Sequence, residues 1–189
     1  MKKSHLILFV AAICLLSACY SHKKVVNAGL PYSNDISWPD GYKPAESRFF
    51  VPNEITINAS PQTVWDILID AEQWHNFYDI ASGLKIENTT NAKLSPSALF
   101  TWYPAGKFTS TVKQFKPPYE LAWYAEDDNM KMTVYHAWLI IPTENGCKVV
   151  TQESQNGPRT FWEKTFVPKM VLKHHQKWLK GIKKTAENK

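Results

Sequence analysis

Residues 161–186 read FWEKTFVPKMVLKHHQKWLKGIKKTA, and their apolar side chains recur at steps of three and four. That spacing predicts one face of a long α-helix. The apolar positions are Trp162, Phe166, Val167, Met170, Val171, Trp178, Leu179 and Ile182. His174 stands where the stripe would continue. The opposite face carries lysines at positions 169, 173, 177, 180 and 184. Because Pro168 lacks a backbone donor, it predicts either a kink or a helix that begins near residue 167.

Upstream of this helix, the chain has the pattern of strands and two short helices. The first strand is predicted over 49–58, and Ser60-Pro61 then has the pattern of a helix start. That helix is predicted to end at Asp70, and a second short one to cover 71–78. Six strand-like segments joined by short turns follow, over 84–87, 98–103, 108–115, 120–125, 130–141 and 147–155. This order predicts an α+β domain in which an antiparallel meander packs against the last helix.

The N-terminus has the pattern of a targeting segment. Lys2 and Lys3 precede an apolar run, Leu6–Leu16, which is too short to cross a bilayer as a helix. Such a run is typical of the core of a signal peptide. An ordinary secretory signal that ends in a small residue is one interpretation of this pattern.

The residues after the apolar run favour a lipoprotein signal instead. Leu16-Ser17-Ala18-Cys19 resembles the lipobox of bacterial lipoproteins, in which cleavage precedes the cysteine and the cysteine is lipidated. The resemblance implies a signal peptide over 1–18 and a lipid anchor at Cys19, which places the protein in the bacterial cell envelope. The residue directly after this cysteine is Tyr20 and not an aspartate. By resemblance to enterobacterial lipoproteins, this implies the outer membrane, with the domain facing the periplasm.

Residues 19–47 are predicted to be a lipidated flexible tether, because they are polar, contain several prolines and show no apolar periodicity. Whether Tyr32, Trp38 and Tyr42 pack back on the domain is left open at this point. Residues 48–189 are predicted to form one domain, since a chain of 189 residues suffices for one core and not comfortably for two.

Charge and cysteine content exclude some classes of partner and bond. Loss of Lys2 and Lys3 with the signal would lower the formal net charge from +5 to +3. That mild charge, together with the envelope location, argues against nucleic acid as a partner, and we expect a monomer. With Cys14 removed and Cys19 lipidated, Cys147 remains alone, so no intramolecular disulfide is expected.

The start of the domain carries a family resemblance. Ile55-Thr-Ile-Asn-Ala-Ser-Pro-Gln-Thr-Val-Trp-Asp-Ile-Leu-Ile-Asp70 followed by Trp74 resembles the START/Bet v1-like superfamily, also called SRPBCC. The resemblance is to its polyketide cyclase/dehydrase-type branch, and Asn145-Gly146 before the last strand adds to it. It implies a helix-grip fold over about 49–187, with the order β-α-α-β6-α. In that fold a curved antiparallel sheet wraps around the C-terminal helix and leaves an apolar cavity for a ligand.

Strand periodicity predicts which residues line this cavity. In the longest predicted strand, alternate residues share one face: Met130, Met132, Val134, His136, Trp138 and Ile140. In the last strand, Cys147, Val149, Thr151 and Glu153 share a face. The predicted ligand-binding residues are Trp102, Trp123, Met132, His136, Trp138, Thr151, Met170 and His174. Trp and Met side chains would suit a flat or acyl-like apolar ligand.

Two titratable residues, His136 and Glu153, are predicted on the inner face. They could act as an acid–base pair on a bound ligand, or they could be hydrogen-bonded structural groups near the cavity mouth. The pair His174-His175 could suggest a metal, but no third ligand stands at helical spacing, so no metal site is predicted. No phosphate-binding loop, nucleophile elbow or Cys-x-x-Cys pair is present in the sequence, and no cofactor is expected.

Three functions are compatible with these patterns. The favoured hypothesis is a membrane-anchored lipoprotein that binds a hydrophobic small molecule or lipid in an internal cavity without performing chemistry. The second is a cyclase- or hydratase-like enzyme that uses His136 and Glu153. The third is an envelope protein-interaction module whose core is filled in. The shape and lining of the interior distinguish the three.

Overall fold

The computed structural model describes residues 34–189 except 90, 105, 128 and 130, together with the backbone of residues 24 and 25. The strands are β1 (Lys24–Val25), β2 (Phe49–Ile57), β3 (Lys85–Ile86), β4 (Leu99–Trp102), β5 (Phe108–Lys116), β6 (Glu120–Asp127), β7 (Met132–Thr143) and β8 (Gly146–Asn156). The helices are α1 (Pro61–Ile69), a 3-10 helix (Ala71–Asn76), α2 (Pro158–Phe166) and α3 (Met170–Glu187). The predicted signal peptide, its Cys19, and Met130 lie outside the described residues.

The strands form one sheet in the order β1-β2-β8-β7-β6-β5-β4-β3. All neighbours from β2 to β3 along this order are antiparallel, and the two-residue β1 adds to β2 in parallel. The strands β3 to β8 are the predicted meander. The two short helices precede it in the chain and the C-terminal helical segment follows it, as predicted. The α+β class and the helix-grip architecture are therefore confirmed.

The start of α1 forms for the reason that the sequence gives. The Ser60 side chain accepts a hydrogen bond from the backbone N–H of Thr63 at 3.1 Å, and Pro61 occupies the first turn. The apolar side of the helix, which includes Val64, Trp65 and Leu68, is buried against the sheet side of the core. The helix ends at Asp70, as predicted.

The predicted C-terminal helix is broken in two at Pro168. The first part, α2, ends at Phe166, and α3 begins at Met170. Val167 has φ −131° and ψ 48°, outside the helical range, because a residue that precedes proline is disfavoured in that range. Pro168 itself has no N–H to give to the preceding turn. The break replaces the kink or late helix start that the sequence suggested.

The break also changes which side of α2 faces inward. Trp162, Phe166 and Val167 are 61%, 64% and 44% exposed, so their predicted place on the buried stripe is wrong. Glu163 and Lys164 are the buried residues of α2 instead. On α3 most of the predicted apolar stripe is buried. The buried residues of α3 are Val171, His175, Trp178, Leu179, Ile182 and Ala186, and the five lysines predicted on the opposite face are exposed.

The outer face of the sheet is covered by the segment that was predicted to be a tether. Ile36 is buried there with Tyr135 and Leu139, and the Trp38 ring lies 5.6 Å from that of Tyr135. The Tyr42 hydroxyl donates a hydrogen bond to Thr133 Oγ1 at 2.6 Å. Over residues 34–47 the chain is therefore packed on the domain and is not a free tether, because its aromatic side chains cover apolar sheet surface.

Candidate functional site

A pocket lies between the inner face of the sheet and the two C-terminal helices. Its volume is about 80 Å³. Apolar and aromatic side chains form most of its wall: Tyr78, Trp102, Pro104, Phe108, Trp123, Ala125, Met132, Val134, Met170, Val171 and Trp178. The polar wall residues are His136, Glu153, Gln155, Arg159, Glu163, His174 and His175. The pocket is thus apolar over one part of its wall and strongly polar over another.

Trp178 of α3 holds the aromatic wall together. Its ring lies 4.6 Å from that of Trp74, 4.9 Å from that of Trp138, and stacks on Tyr78 at 4.7 Å. The indole N–H groups of Trp102 and Trp178 have no hydrogen-bond partner among the described residues. Both nitrogens are buried, so these N–H groups lie within the wall and are not exposed to the pocket.

The polar wall is built by two strands and one helix. Strand register pairs His136 of β7 directly with Glu153 of β8, and α3 brings His175 to the same carboxylate. His136 Nδ1 lies 3.3 Å and His175 Nε2 lies 3.2 Å from the same oxygen, Glu153 Oε2. Gln155 donates to the other carboxylate oxygen at 2.5 Å. The three residues His136, Glu153 and His175 are called the His-Glu-His cluster below.

Burial and neighbouring charges shift the pKa values of two members of this cluster, His136 and Glu153. Burial lowers the pKa of His136, and the neighbouring His175 lowers it further, so His136 is neutral near pH 7. Burial alone would raise the pKa of Glu153, but the hydrogen bond and charge of His175 lower it below its ordinary value. A neutral His136 can donate from Nδ1 to this carboxylate and accept at Nε2 from the Thr151 hydroxyl, which lies at 2.6 Å.

A second polar group closes the pocket on the side of α2. Arg159 Nε lies 2.8 Å from Glu163 Oε1, and Arg159 Nη1 lies 3.7 Å from Asp127 Oδ2 of β6. Burial raises the pKa of Glu163, against the lowering effect of the Arg159 charge. The contact of Arg159 with Asp127 joins α2 to the sheet, whereas its contact with Glu163 lies within α2.

Comparison with known proteins identifies the family. A family model described as "Polyketide cyclase / dehydrase and lipid transport" matches residues 50–187, which is nearly all of the domain. The chain belongs to this family. The resemblance that the opening motif predicted is therefore confirmed. Among curated protein sequences, none matches the chain.

Solved structures show the same fold. Hypothetical protein jhp0584 from Helicobacter pylori is 26% identical with a TM-score of 0.75, over 87% of this chain and 99% of that one. The di-domain ARO/CYC StfQ from the steffimycin biosynthetic pathway is 10% identical with a TM-score of 0.62, over 74% of this chain and 51% of StfQ. A norcoclaurine synthase point mutant from Thalictrum is 11% identical with a TM-score of 0.57, over 74% of this chain and 94% of the synthase.

Most of the predicted ligand-binding residues lie on the pocket of this family domain. Those on the wall are Trp102, Trp123, Met132, His136, Met170 and His174, and the predicted acid–base candidate Glu153 joins them. Trp138 and Thr151 are placed differently. Both are buried behind the wall, where Trp138 packs on Trp178 and Thr151 bonds to His136. They are not among the wall residues, and their predicted contact with a ligand stays a prediction.

The sequence analysis missed several polar and aromatic wall residues. His175 is 3% exposed, whereas His174, the predicted position, is half-buried at the rim. The spacing of Val171, His175 and Trp178 could have shown this, because steps of four and three continue the stripe. Arg159 was missed because it precedes the segment in which a helix was predicted. Tyr78 was assigned to a short helix without a role.

Proposed function

We propose that this protein is a membrane-anchored lipoprotein that binds the apolar part of a small molecule or lipid in its pocket. The observation that carries the proposal is the pocket itself, whose wall is formed mostly by aromatic and aliphatic side chains. The family, whose description includes lipid transport, supports it. A filled-in core, as in the interaction-module hypothesis, would not leave such a space.

The size of the pocket limits what enters it without movement. About 80 Å³ is room for roughly two or three water-sized groups, whereas ligand pockets usually measure about 300–1,000 Å³. A longer chain therefore needs the pocket to widen. The wall that can yield is α2, since it joins α3 through the non-helical residues 167–169 and exposes its aromatic side.

The exposed residues of α2 fit the proposed membrane location. Trp162 and Phe166 stack at 5.0 Å on the outside of the helix that contributes Arg159 and Glu163 to the pocket. Aromatic side chains of this kind suit the interfacial layer of a bilayer. In the described part of the chain, no helix is long and apolar enough to cross a membrane, and the proposed attachment is through lipid on Cys19.

The cyclase-like alternative has weaker support from the geometry. His136 and Glu153 are in contact at the pocket, which an acid–base pair requires. However, both ring nitrogens of His136 are already engaged, one by Glu153 and the other by Thr151. A base whose lone pair is occupied in this way is poorly placed to remove a proton from a ligand.

Binding can be tested by filling the mouth of the pocket. Met170→Trp is expected to lower the affinity for a fluorescent fatty acid about tenfold or more, because the larger ring takes the space at the rim. Lys173→Trp is the matched control, since Lys173 lies on the same helix at an exposed position and does not line the pocket. Its affinity should stay within about twofold of the unmodified protein.

Native mass spectrometry of the purified protein is the companion measurement. An apolar molecule that co-purifies with the unmodified protein and is lost from Met170→Trp would support the proposal. Equal binding by the two tryptophan variants, or no binding by the unmodified protein, would contradict it.

The proposed anchor has its own test. Cys19→Ala is expected to abolish incorporation of labelled palmitate and to release the protein from the membrane fraction of a Gram-negative host, since the acylated thiol is lost. Cys14→Ala is the control, because Cys14 lies in the apolar core of the predicted signal and should label normally. Palmitate labelling of the Cys19→Ala variant would show that the lipobox interpretation is wrong.

A further inference from the structure

We propose that the His-Glu-His cluster is a binding site for one divalent transition-metal ion of the zinc class, held at the pocket wall by His136, Glu153 and His175. This site is additional to the proposed binding of an apolar ligand and does not depend on it. Helical spacing alone predicted no metal site, because the third ligand, Glu153, lies on a facing strand and not on the helix.

The spacing of the donor atoms supports the site. One potential ligand atom from each residue lies within 4.8 Å of the other two. The contacts of 3.3 Å and 3.2 Å to Glu153 Oε2 correspond to angles of about 100° at an ion with bonds of about 2.1 Å, which is near tetrahedral. For the same geometry the histidine nitrogens must come within about 3.4 Å of each other, from a separation of no more than 4.8 Å.

The chemistry of the donor set also fits. Imidazole nitrogen and carboxylate oxygen are ligands that zinc and iron(II) accept, and two histidines with one carboxylate recur in catalytic metal sites. The Glu153 carboxylate carries one negative charge, which partly neutralises the two positive charges of the ion.

The surrounding residues hold the ligands in the way that metal sites require. The Thr151 hydroxyl lies 2.6 Å from His136 Nε2, so His136 could donate there while its Nδ1 binds the ion. Gln155 donates to Glu153 Oε1 at 2.5 Å and leaves Oε2 for the ion. Both contacts fix the orientation of a ligand without using the atom that would face the metal.

The fourth position would face the pocket. All three residues line it, and the rest of the nearby wall includes Trp178 and Tyr78. Three protein ligands with an open position is the arrangement of zinc sites that bind water or a substrate atom. An ion here would thus present a Lewis acid to an oxygen atom on the ligand of the pocket.

The test uses the full chain, purified from membranes in detergent and stripped with a chelator. Titration with Co²⁺ is expected to give the visible absorption of a low-symmetry four- or five-coordinate site at one ion per chain, and Zn²⁺ should remove it. Glu153→Gln and His175→Ala are expected to weaken binding about 100-fold or more. His75→Ala is the matched control, because it removes an imidazole from an exposed position that does not line the pocket, and it should bind normally.

Thr151→Val keeps the proposal testable if the ligand variants do not fold. It leaves all three ligands in place and is expected to weaken Co²⁺ binding about tenfold by removing the partner of His136. Failure of the unmodified protein to bind Co²⁺ or Zn²⁺, or equal binding by His75→Ala and Glu153→Gln, would overturn the site. Neither outcome bears on fatty acid binding, so the two proposals can fail separately.

Discussion

Trp178→Ala is expected to lower the free energy of unfolding by about 3–5 kcal/mol, measured by urea unfolding with circular dichroism. Trp178 is 1% exposed, and its ring contacts those of Trp74, Tyr78 and Trp138 at 4.6 to 4.9 Å. Removing it leaves a cavity in the centre of the aromatic wall, which neighbouring rings cannot fill without leaving their own contacts. The cavity would also join the ligand pocket.

Trp162→Ala provides a matched control for this loss. The same side chain is deleted, but Trp162 is 61% exposed and touches mainly Phe161 and Phe166. Its loss should cost less than about 1 kcal/mol. Similar costs for the two variants would mean that α2 turns its aromatic side inward in solution, and that the position of the pocket wall described above is incorrect.

Apolar spacing predicted the burial of Trp178 correctly and that of Trp162 wrongly. Both were predicted on one buried stripe, and the structure buries one of them only. The spacing rule assumes a continuous helix, and residues 167–169 interrupt it. A break resets the angle between the two parts, and that angle depends on tertiary contacts such as Arg159 to Asp127, which no local pattern records.

The strands were predicted more accurately because their signals are local. Alternation along β7 and β8 correctly placed Met132, His136 and Glu153 on the inner face. The turn that joins β7 to β8 is also a local feature, and residues 143 and 146 pair across it. Counting back from that pair gives His136 opposite Glu153, so the contact between them could have been derived from the sequence.

The third member of the cluster could not be derived in the same way. His175 reaches Glu153 because α3 crosses the sheet at one angle and height, which the packing of whole elements decides. The pocket volume is likewise a small difference between large packed volumes. Wall residues can therefore be nominated from faces of strands and helices, but the space between them requires coordinates.

Arg159→Ala is expected to destabilise the protein by about 3 kcal/mol at pH 8, because it leaves buried carboxylates without their nearest cation. Arg159 contacts Glu163 at 2.8 Å and Asp127 at 3.7 Å, and these two side chains are 7% and 0% exposed. The contact with Asp127 joins α2 to β6, so the pocket should loosen as well. Lys173→Ala is the control, since it removes one positive charge from an exposed position of α3 and should change stability by about 0.5 kcal/mol or less.

The loss in Arg159→Ala should depend on pH in a definite direction. Burial already raises the pKa of Glu163 above its ordinary value of 4.5, and removal of the Arg159 charge raises it further. The folded variant then holds a proton more tightly than the unfolded chain does. Stability from that proton is present below 4.5 and is lost as the pH rises through the folded pKa. The deficit relative to the unmodified protein should therefore grow from pH 5 to pH 8. A deficit that stays constant would instead show that Arg159 acts by packing its aliphatic stem and not by its charge.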